Sequence, residues 1–119
     1  MRAIPLVIAA VLIAGCASKF AFLPTTGAAP TTGAVIDRVC VVTKYLPHEI
    51  PFTDLGRATV RKGKDQPGDV FTYIATIAKG RGGNTVHIIK STDNRAVGYV
   101  YYIDPALRLD CAAAGGMLR

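Results

Sequence analysis

The hydrophobic and polar positions of the chain fall into three zones. An apolar run from Ala3 to Gly15 is followed by a segment rich in Pro, Thr and Gly that extends to Ala34. From Val35 onward, stretches that favour β-strands lie on either side of a stretch with helical spacing. The pattern therefore predicts one folded region, preceded by an apolar leader and a polar connecting segment.

Four strands are predicted in the folded region. Enrichment in β-branched residues or alternation of apolar and polar residues marks Val35–Tyr45, Leu55–Lys62, Asn84–Ser91 and Ala96–Ile103. In the first strand, alternation places Cys40 on the face opposite the predicted core residues, which are Val35, Val39, Val41 and Tyr45. The polar residues 92–95 are typical of a hairpin turn between the last two strands.

Two helices are predicted. Asp69 supplies an N-cap, residues Val70 to Lys79 have helical spacing, and Gly80 provides a C-cap. Asp104-Pro105 begins a short final helix that is predicted to end near Ala114. The order β-β-α-β-β followed by a helix predicts an α+β fold, in which a small four-stranded sheet carries one main helix and a short C-terminal helix.

The apolar leader has the form of a bacterial lipoprotein signal. Arg2 precedes an apolar run, and two small residues stand immediately before Cys16. The run is shorter than the roughly 20 apolar residues that span a bilayer. We therefore expect residues 1–15 to be a signal peptide and Cys16 to carry lipid, with ordinary secretion and an uncleaved anchor as alternatives. Residues 16–34 would then be the lipidated cysteine and a flexible tether, of which Lys19 to Ala34 would reach about 50 Å if extended, and residues 35–119 would be a periplasmic domain.

Two cysteines remain for a disulfide. With Cys16 assigned to lipid, Cys40 and Cys111 form an even pair in an oxidising compartment. Closing a loop of about 70 residues would stabilise the fold by about 4 kcal/mol. The bond would pin the predicted C-terminal helix to the first strand.

The charge of the chain bounds its partners. The formal net charge is +6, and a basic domain in the envelope favours anionic lipid, glycan or an acidic protein face over nucleic acid. The alternative is that the charge only confers solubility. The candidate contact surface consists of Arg57, Arg61, Lys62, Lys64 and Arg81.

The segment Ile77 to Ile88, with Gly82-Gly83-Asn84-Thr85-Val86 at its centre, resembles a passage of Gram-negative envelope lipoproteins that include the outer-membrane sensor of the Rcs stress pathway. The resemblance covers roughly Val35 to Ile103. It implies a disulfide-stabilised domain, anchored in the outer membrane, that works through protein contacts. In that setting, Ala17 after the lipidated cysteine agrees with outer-membrane sorting. The Rcs sensor has four cysteines in two disulfides, whereas only Cys40 and Cys111 remain here, so signalling by the Rcs mechanism does not follow.

Catalytic and metal-binding patterns are sparse. His48 lies in a loop flanked by prolines, His87 lies in a strand, and no serine occupies a Gly-x-Ser-x-Gly turn. A metal set of Cys40, Cys111, His48 and His87 lacks short ligand spacing and competes with the disulfide. We therefore predict that the chain is not an enzyme and holds no metal or cofactor.

The predicted function is that of an outer-membrane lipoprotein whose periplasmic domain binds an envelope protein, as a sensor or as an assembly or secretion accessory. The alternative is a binding module for an anionic envelope ligand such as lipopolysaccharide or glycan, using the basic loop from Arg61 to Lys64.

Overall fold

The computed structural model describes residues 19–25, 35–44, 50–107 and 110–119. These residues form one mixed sheet of six strands: β1 (Lys19–Pro24), β2 (Cys40–Val42), β3 (Thr53–Arg61), β4 (Thr85–Ser91), β5 (Arg95–Tyr102) and β6 (Gly116–Leu118). The strand order is β1-β3-β5-β4-β2-β6, with β2 and β4 parallel and the other neighbours antiparallel. Within the described residues there is one α-helix, α1 (Val70–Gly80). The predicted four-stranded sheet with two helices is therefore wrong.

Helix α1 begins where the sequence predicts. The backbone N–H of Thr72 donates to Oδ1 of Asp69 at 2.8 Å, which makes Asp69 the N-cap. The buried residues of the helix are Val70, Ile74, Ala75 and Ala78. Their spacing is that of one helical stripe, so the helix turns a single apolar face toward the sheet.

The helix ends slightly later than predicted. Gly80 lies inside the last turn, Arg81 is the C-cap, and Gly82 adopts the left-handed φ of 73°. The N–H groups of Gly82 and Gly83 donate to the carbonyl oxygens of Lys79 and Ala78, respectively. This pair of bonds is a Schellman motif, which requires glycine at position 82 and not at position 80.

The main core lies between α1 and the sheet. It contains Val39, Val41, Leu55, Ala58, Val60, Val70, Ile74, Ala75, Ala78, Val86, Ile88, Ala96 and Val100. Val39 and Val41 are fully buried as predicted, whereas Val35 is 93% exposed. The predicted strand 35–45 is therefore too long, and in the structure its strand residues are Cys40–Val42. Tyr45 lies outside the described residues.

Strand β1 corrects the predicted tether. Lys19–Pro24 pairs with β3 along its whole length, from Lys19 opposite Arg61 to Pro24 opposite Gly56. On the helix side, the Phe20 ring stacks on Tyr73 at 5.8 Å, and the Arg81 guanidinium lies 4.5 Å from the Phe22 ring centroid. The aromatic residues thus anchor a segment whose surroundings, rich in Pro, Thr and Gly, predict a flexible chain. The predicted signal peptide, residues 1–15, and residues 16–18 and 26–34 of the predicted tether lie outside the described residues.

The segment after β5 is not the predicted helix. Asp104 does accept a hydrogen bond from the Ala106 N–H at 3.0 Å, but it caps only a 3₁₀ turn at Pro105–Leu107. The chain then passes through turns and returns as β6, antiparallel to β2. Pairing satisfies the backbone groups at the outer edge of β2, and this long-range requirement overrides the helix propensity of the alanines at 112–114.

The predicted disulfide is confirmed. Cys40 and Cys111 are bonded, with their Cα atoms 5.7 Å apart and a sequence separation of 71 residues. Cys111 lies in the turns before β6 and not on a helix. The bond therefore fixes the return of the chain to the sheet.

Candidate interaction surface on the open face of the sheet

The face of the sheet opposite α1 is called the open face below. Because side chains alternate along each strand, it receives Lys19, Ala21 and Leu23 from β1, Arg57, Thr59 and Arg61 from β3, and Arg95, Val97, Tyr99 and Tyr101 from β5. Among the described elements, none packs over this part of the sheet. The segment after β5 covers the part of the open face near Cys40, where the disulfide joins this segment to β2.

Cations are concentrated at one end of the open face. Lys19 lies directly opposite Arg61, and Arg61 lies directly opposite Arg95, so three positive residues form a row across three strands. In the adjacent row, Lys90 of β4 is opposite Val97. We call Lys19, Arg61, Lys90 and Arg95 the basic end.

The basic end has no carboxylate partner in the part of the chain that the structure describes. The ion pair found among the described residues joins Arg119 to Asp69, and neither residue belongs to the basic end. Asp65 and Asp93 lie in the loops that follow β3 and β4, and neither forms an ion pair with the basic end. Side chains directly opposite in a sheet are about 5 Å apart at Cβ, and like charges in that arrangement are destabilising. An anion bound there would relieve this repulsion.

A shallow groove of about 320 Å³ runs through the basic end. Its polar wall is formed by the four cations and Thr59, and its apolar part by Phe20, Ala21 and Val97. Phe20 is 52% exposed although its ring stacks on Tyr73. The groove thus combines positive charge with a small apolar floor, whereas the Phe20 ring itself lies on the helix side of the sheet.

An aromatic cluster occupies the other end of the open face. The Phe52 ring lies 4.2 Å from the Tyr101 ring centroid, and Tyr101 lies 6.3 Å from Tyr99. Phe52 is 47% exposed and Tyr99 is 36% exposed, whereas Tyr101 is buried between them. Arg57 is exposed beside Tyr99, its cross-strand neighbour, and Leu23 extends the same row. Exposed aromatic and arginine side chains side by side are typical of protein interfaces.

Burial raises the pKa of Tyr101 above its ordinary value of 10.0, and Asp54 and Tyr99 contribute in the same direction. The phenol therefore stays neutral across the physiological range. The Asp54 carboxylate is itself engaged, since Oδ1 accepts hydrogen bonds from the Thr25 hydroxyl at 3.0 Å and the Gly56 N–H at 3.1 Å. Asp54 thus has a structural role where the register between β3 and β5 shifts, between Asp54 and Gly56.

The residues of the predicted contact surface do not lie together. Arg57 and Arg61 share the open face. Lys62 donates its ammonium to the Gln66 carbonyl at 2.7 Å, and Lys64 lies in the following loop. Arg81 lies over Phe22, on the helix side of the sheet. The structure therefore brings two of the five residues onto one face.

Sequence reasoning missed Lys19, Lys90 and Arg95 as neighbours of Arg61. Each lies at a strand end, and their proximity depends on the register among β1, β3, β4 and β5. The strand pattern does not predict which aromatic rings are exposed: Tyr101 is buried, whereas Phe52 and Tyr99 are exposed. Counting residue pairs outward from the turn at residues 92–95 could have aligned β4 with β5. It could not have aligned these strands with β1 or β3.

The alternative metal set is not assembled. Cys40 and Cys111 are bonded to each other, so neither thiol is available as a ligand. His87 is half-buried on the open face beside Tyr99, and His48 lies outside the described residues. Within the described ranges, no group of three His, Cys, Asp or Glu residues is placed to hold a metal ion. No helix in those ranges is both long enough and apolar enough to cross a membrane.

The residues that carry the family resemblance have structural roles here. Gly82 and Gly83 end α1, and Val86 is fully buried. The Asn84 side chain donates to the Ile103 carbonyl at 2.6 Å and accepts from the Ile103 N–H at 2.9 Å, which ties the end of β5 to the start of β4. Comparisons of the chain with protein-family models, curated proteins and solved structures find no match in any of the three. The resemblance therefore stays a prediction.

Proposed function

We propose that the chain is a non-enzymatic lipoprotein of the outer membrane whose periplasmic domain binds an acidic surface of an envelope protein. The binding surface is the aromatic cluster together with Arg57. The observation that carries the proposal is that Phe52, Tyr99 and Arg57 are exposed side by side on a sheet face that no described element covers.

The chemistry of this surface favours a protein partner. Aromatic rings and arginine lose little conformational entropy for the area that they bury, and both are enriched among residues that dominate binding energy. Arg57 has no carboxylate partner within the described residues, so a partner's Asp or Glu could form a bidentate pair with it. A rigid sheet presents these groups with little need for reorganisation on binding.

The anchor belongs to the same proposal. The leader before Cys16 supports lipidation, and β1 begins three residues later, at Lys19. A lipid on Cys16 would confine the domain to the membrane surface and raise its effective concentration toward a membrane-bound partner. An assembly or sensing accessory requires such confinement and no catalytic group.

The test is photo-crosslinking in cells with the full chain. A photoreactive amino acid replaces Tyr99 in one strain and Thr76, an exposed residue of α1, in a second strain. We expect Tyr99 to yield an adduct with one envelope protein and Thr76 to yield none. Arg57→Glu should lower the adduct yield at least about tenfold, since interface residues of this kind contribute about 2 kcal/mol or more.

A matched control is Arg38→Glu, which makes the same charge change on an exposed residue before β2. Its adduct yield should stay within about twofold of the unmodified chain. Cys16→Ser should abolish the adduct if anchoring is required. Equal adducts from Tyr99 and Thr76, or adducts with lipopolysaccharide or glycan alone, would overturn the proposal.

A further inference from the structure

We infer that the basic end seats the domain on a membrane surface containing anionic phospholipid, with lipid phosphates as the counter-ions of Lys19, Arg61 and Arg95. The inference deepens the proposed function and rests on it for one point, the lipid on Cys16 that would bring the bilayer to this end of the sheet. The surface involved is separate from the aromatic cluster, which lies toward the other ends of the same strands.

The arrangement of charge supports an anionic ligand. Lys19, Arg61 and Arg95 are aligned across adjacent strands with no carboxylate among the described residues to separate them. Such a row costs stability in the free domain because the charges repel one another. A layer of phosphates removes this cost, and it also matches the width of a row that spans three strands, which a single small anion does not.

The covalent connection supports the same orientation. Lys19 is three positions after Cys16, so their Cα atoms can be at most about 11 Å apart. Since Lys19 is the first residue of β1 and part of the basic end, a lipid on Cys16 would hold this end close to the headgroups. The predicted stand-off of about 50 Å does not apply, because the folded region begins at Lys19.

The groove adds a second chemical feature that suits a bilayer interface. Ala21 and Val97 form its floor between the cations, and the half-exposed Phe20 ring lies at the same edge of the sheet, on the helix side of β1. Apolar side chains flanked by cations are favoured at the level of lipid headgroups, where the apolar groups meet the acyl boundary and the cations meet phosphate. Lys62 and Lys64, in the loop after β3, add positive charge at the same end.

The experiment measures binding to vesicles without the covalent lipid. The chain processed at residue 16 and carrying Cys16→Ser retains every described strand and α1. It is mixed with vesicles of phosphatidylcholine alone or with phosphatidylglycerol added, and bound protein is measured by co-sedimentation. We expect binding only with phosphatidylglycerol, weakened by salt, and weakened at least about tenfold by Arg61→Gln with Arg95→Gln.

The control pair is Arg38→Gln with Lys79→Gln, which removes the same charge away from the basic end. Arg38 precedes Cys40, and Lys79 lies in the last turn of α1. Binding by this pair should stay within about threefold of the unmodified chain. Equal losses by both pairs would show that only net charge matters and would overturn the inference, as would equal binding to vesicles of phosphatidylcholine alone.

Two further measurements distinguish the ways in which the inference could fail. Inorganic phosphate that displaces the vesicles at constant ionic strength would identify a free-phosphate site and overturn the membrane assignment. Thermal unfolding should show that Arg61→Gln with Arg95→Gln leaves the midpoint unchanged or raises it, because cross-strand repulsion is removed. Neither measurement depends on the lipid on Cys16 or on Tyr99. The inference can therefore fail while the proposed function stands, and the proposed function can fail while the inference stands.

Discussion

The two edges of the sheet are held by different means. At one edge, β1 pairs with β3 over six residues, and Phe20 and Phe22 contact Tyr73 and Arg81 on the helix side. At the other edge, β6 pairs with β2 over three residues, and a disulfide fixes the preceding turn to β2. A six-residue strand with two aromatic contacts can thus be held by pairing and packing, whereas the three-residue strand is supported by a covalent bond.

A glycine stands at the closest approach in each edge. Gly56 has a φ of 147°, and a Cβ there would overlap the Leu23 carbonyl oxygen of β1. At the other edge, a Cβ on Gly116 would lie 2.6 Å from Sγ of Cys40 and 2.7 Å from Sγ of Cys111. Each edge therefore depends on one position without a side chain. Gly56 packs against the backbone of β1, and Gly116 packs against the disulfide.

Removing the disulfide should have the largest effect. Cys40→Ser with Cys111→Ser should lower the free energy of unfolding by about 4 kcal/mol, because the unfolded chain regains the entropy of a 71-residue loop. The measurement is urea denaturation of the processed chain at low temperature. Cys16→Ser, which breaks no bond in the fold, is the control and should leave the midpoint unchanged.

The same variant tests whether the edges are independent. Amide exchange should accelerate most in residues 116–118 and least in residues 20–23, relative to global unfolding. If exchange in β1 accelerated as much as exchange in β6, the two edges would form one cooperative unit and the contrast between them would not hold.

Gly56→Ala should break the β1 edge selectively. The new methyl group meets backbone atoms of Leu23 and Pro24, and alanine is strained at a φ of 147°. We expect a loss of about 2–3 kcal/mol in unfolding free energy, as for overpacking combined with backbone strain. Denaturation gives the magnitude, and faster amide exchange in residues 20–23 with β6 unchanged gives the location.

A matched control for this change is Gly80→Ala. Gly80 lies in the last turn of α1, and a Cβ there would meet nothing within 4 Å. Alanine should therefore stabilise the helix by about 0.5–1 kcal/mol. Equal destabilisation by both substitutions would rule out the contact with β1 as the cause.

The elements that the sequence predicts correctly depend on short-range patterns. Asp69 and the apolar stripe of α1 are local, and the hairpin turn is confirmed by the Thr92 N–H donating to the Arg95 carbonyl at 2.8 Å. The disulfide was predictable from the two cysteines that remain once Cys16 is assigned to lipid, together with the predicted oxidising compartment. By contrast, β1 and β6 are edge strands whose pairing partners are distant in sequence. Neither the Pro/Thr/Gly context of β1 nor the Gly-Gly pair at the start of β6 favours a strand.

The candidate site was predictable to a similar extent. Arg57 and Arg61 are four residues apart in one predicted strand. Because side chains alternate between the two faces, the sequence predicts that both lie on the same face. The alignment of Lys19 and Arg95 with Arg61 requires a strand that the sequence does not predict and a register that it does not fix. The cross-strand row is therefore a property of the tertiary fold.

Asp69 should give the smallest effect and links α1 to the β6 edge. Its carboxylate caps α1 through Thr72 and accepts a hydrogen bond from the Arg119 guanidinium at 2.9 Å, just after β6. Asp69→Ala should cost about 1 kcal/mol in unfolding free energy, chiefly through loss of the cap. Asp69→Asn keeps an acceptor for the Thr72 N–H and should cost less, and denaturation at neutral pH distinguishes the two.

Lowering the pH tests how much the charge of Asp69 contributes to stability. Burial works to raise the pKa of Asp69, but the hydrogen bonds from Arg119 and Thr72, together with the charge of Arg119, lower it below its ordinary value of 3.8. A lowered pKa means that the carboxylate stabilises the fold fully above that ordinary value and loses the contribution as pH falls through the lowered value. Between pH 5 and about pH 2, the difference in unfolding free energy between the unmodified chain and Asp69→Asn should therefore shrink. A difference that stays constant over this range would mean that the charge of Asp69 does not hold the β6 edge, and that the disulfide and strand pairing hold it without the ion pair.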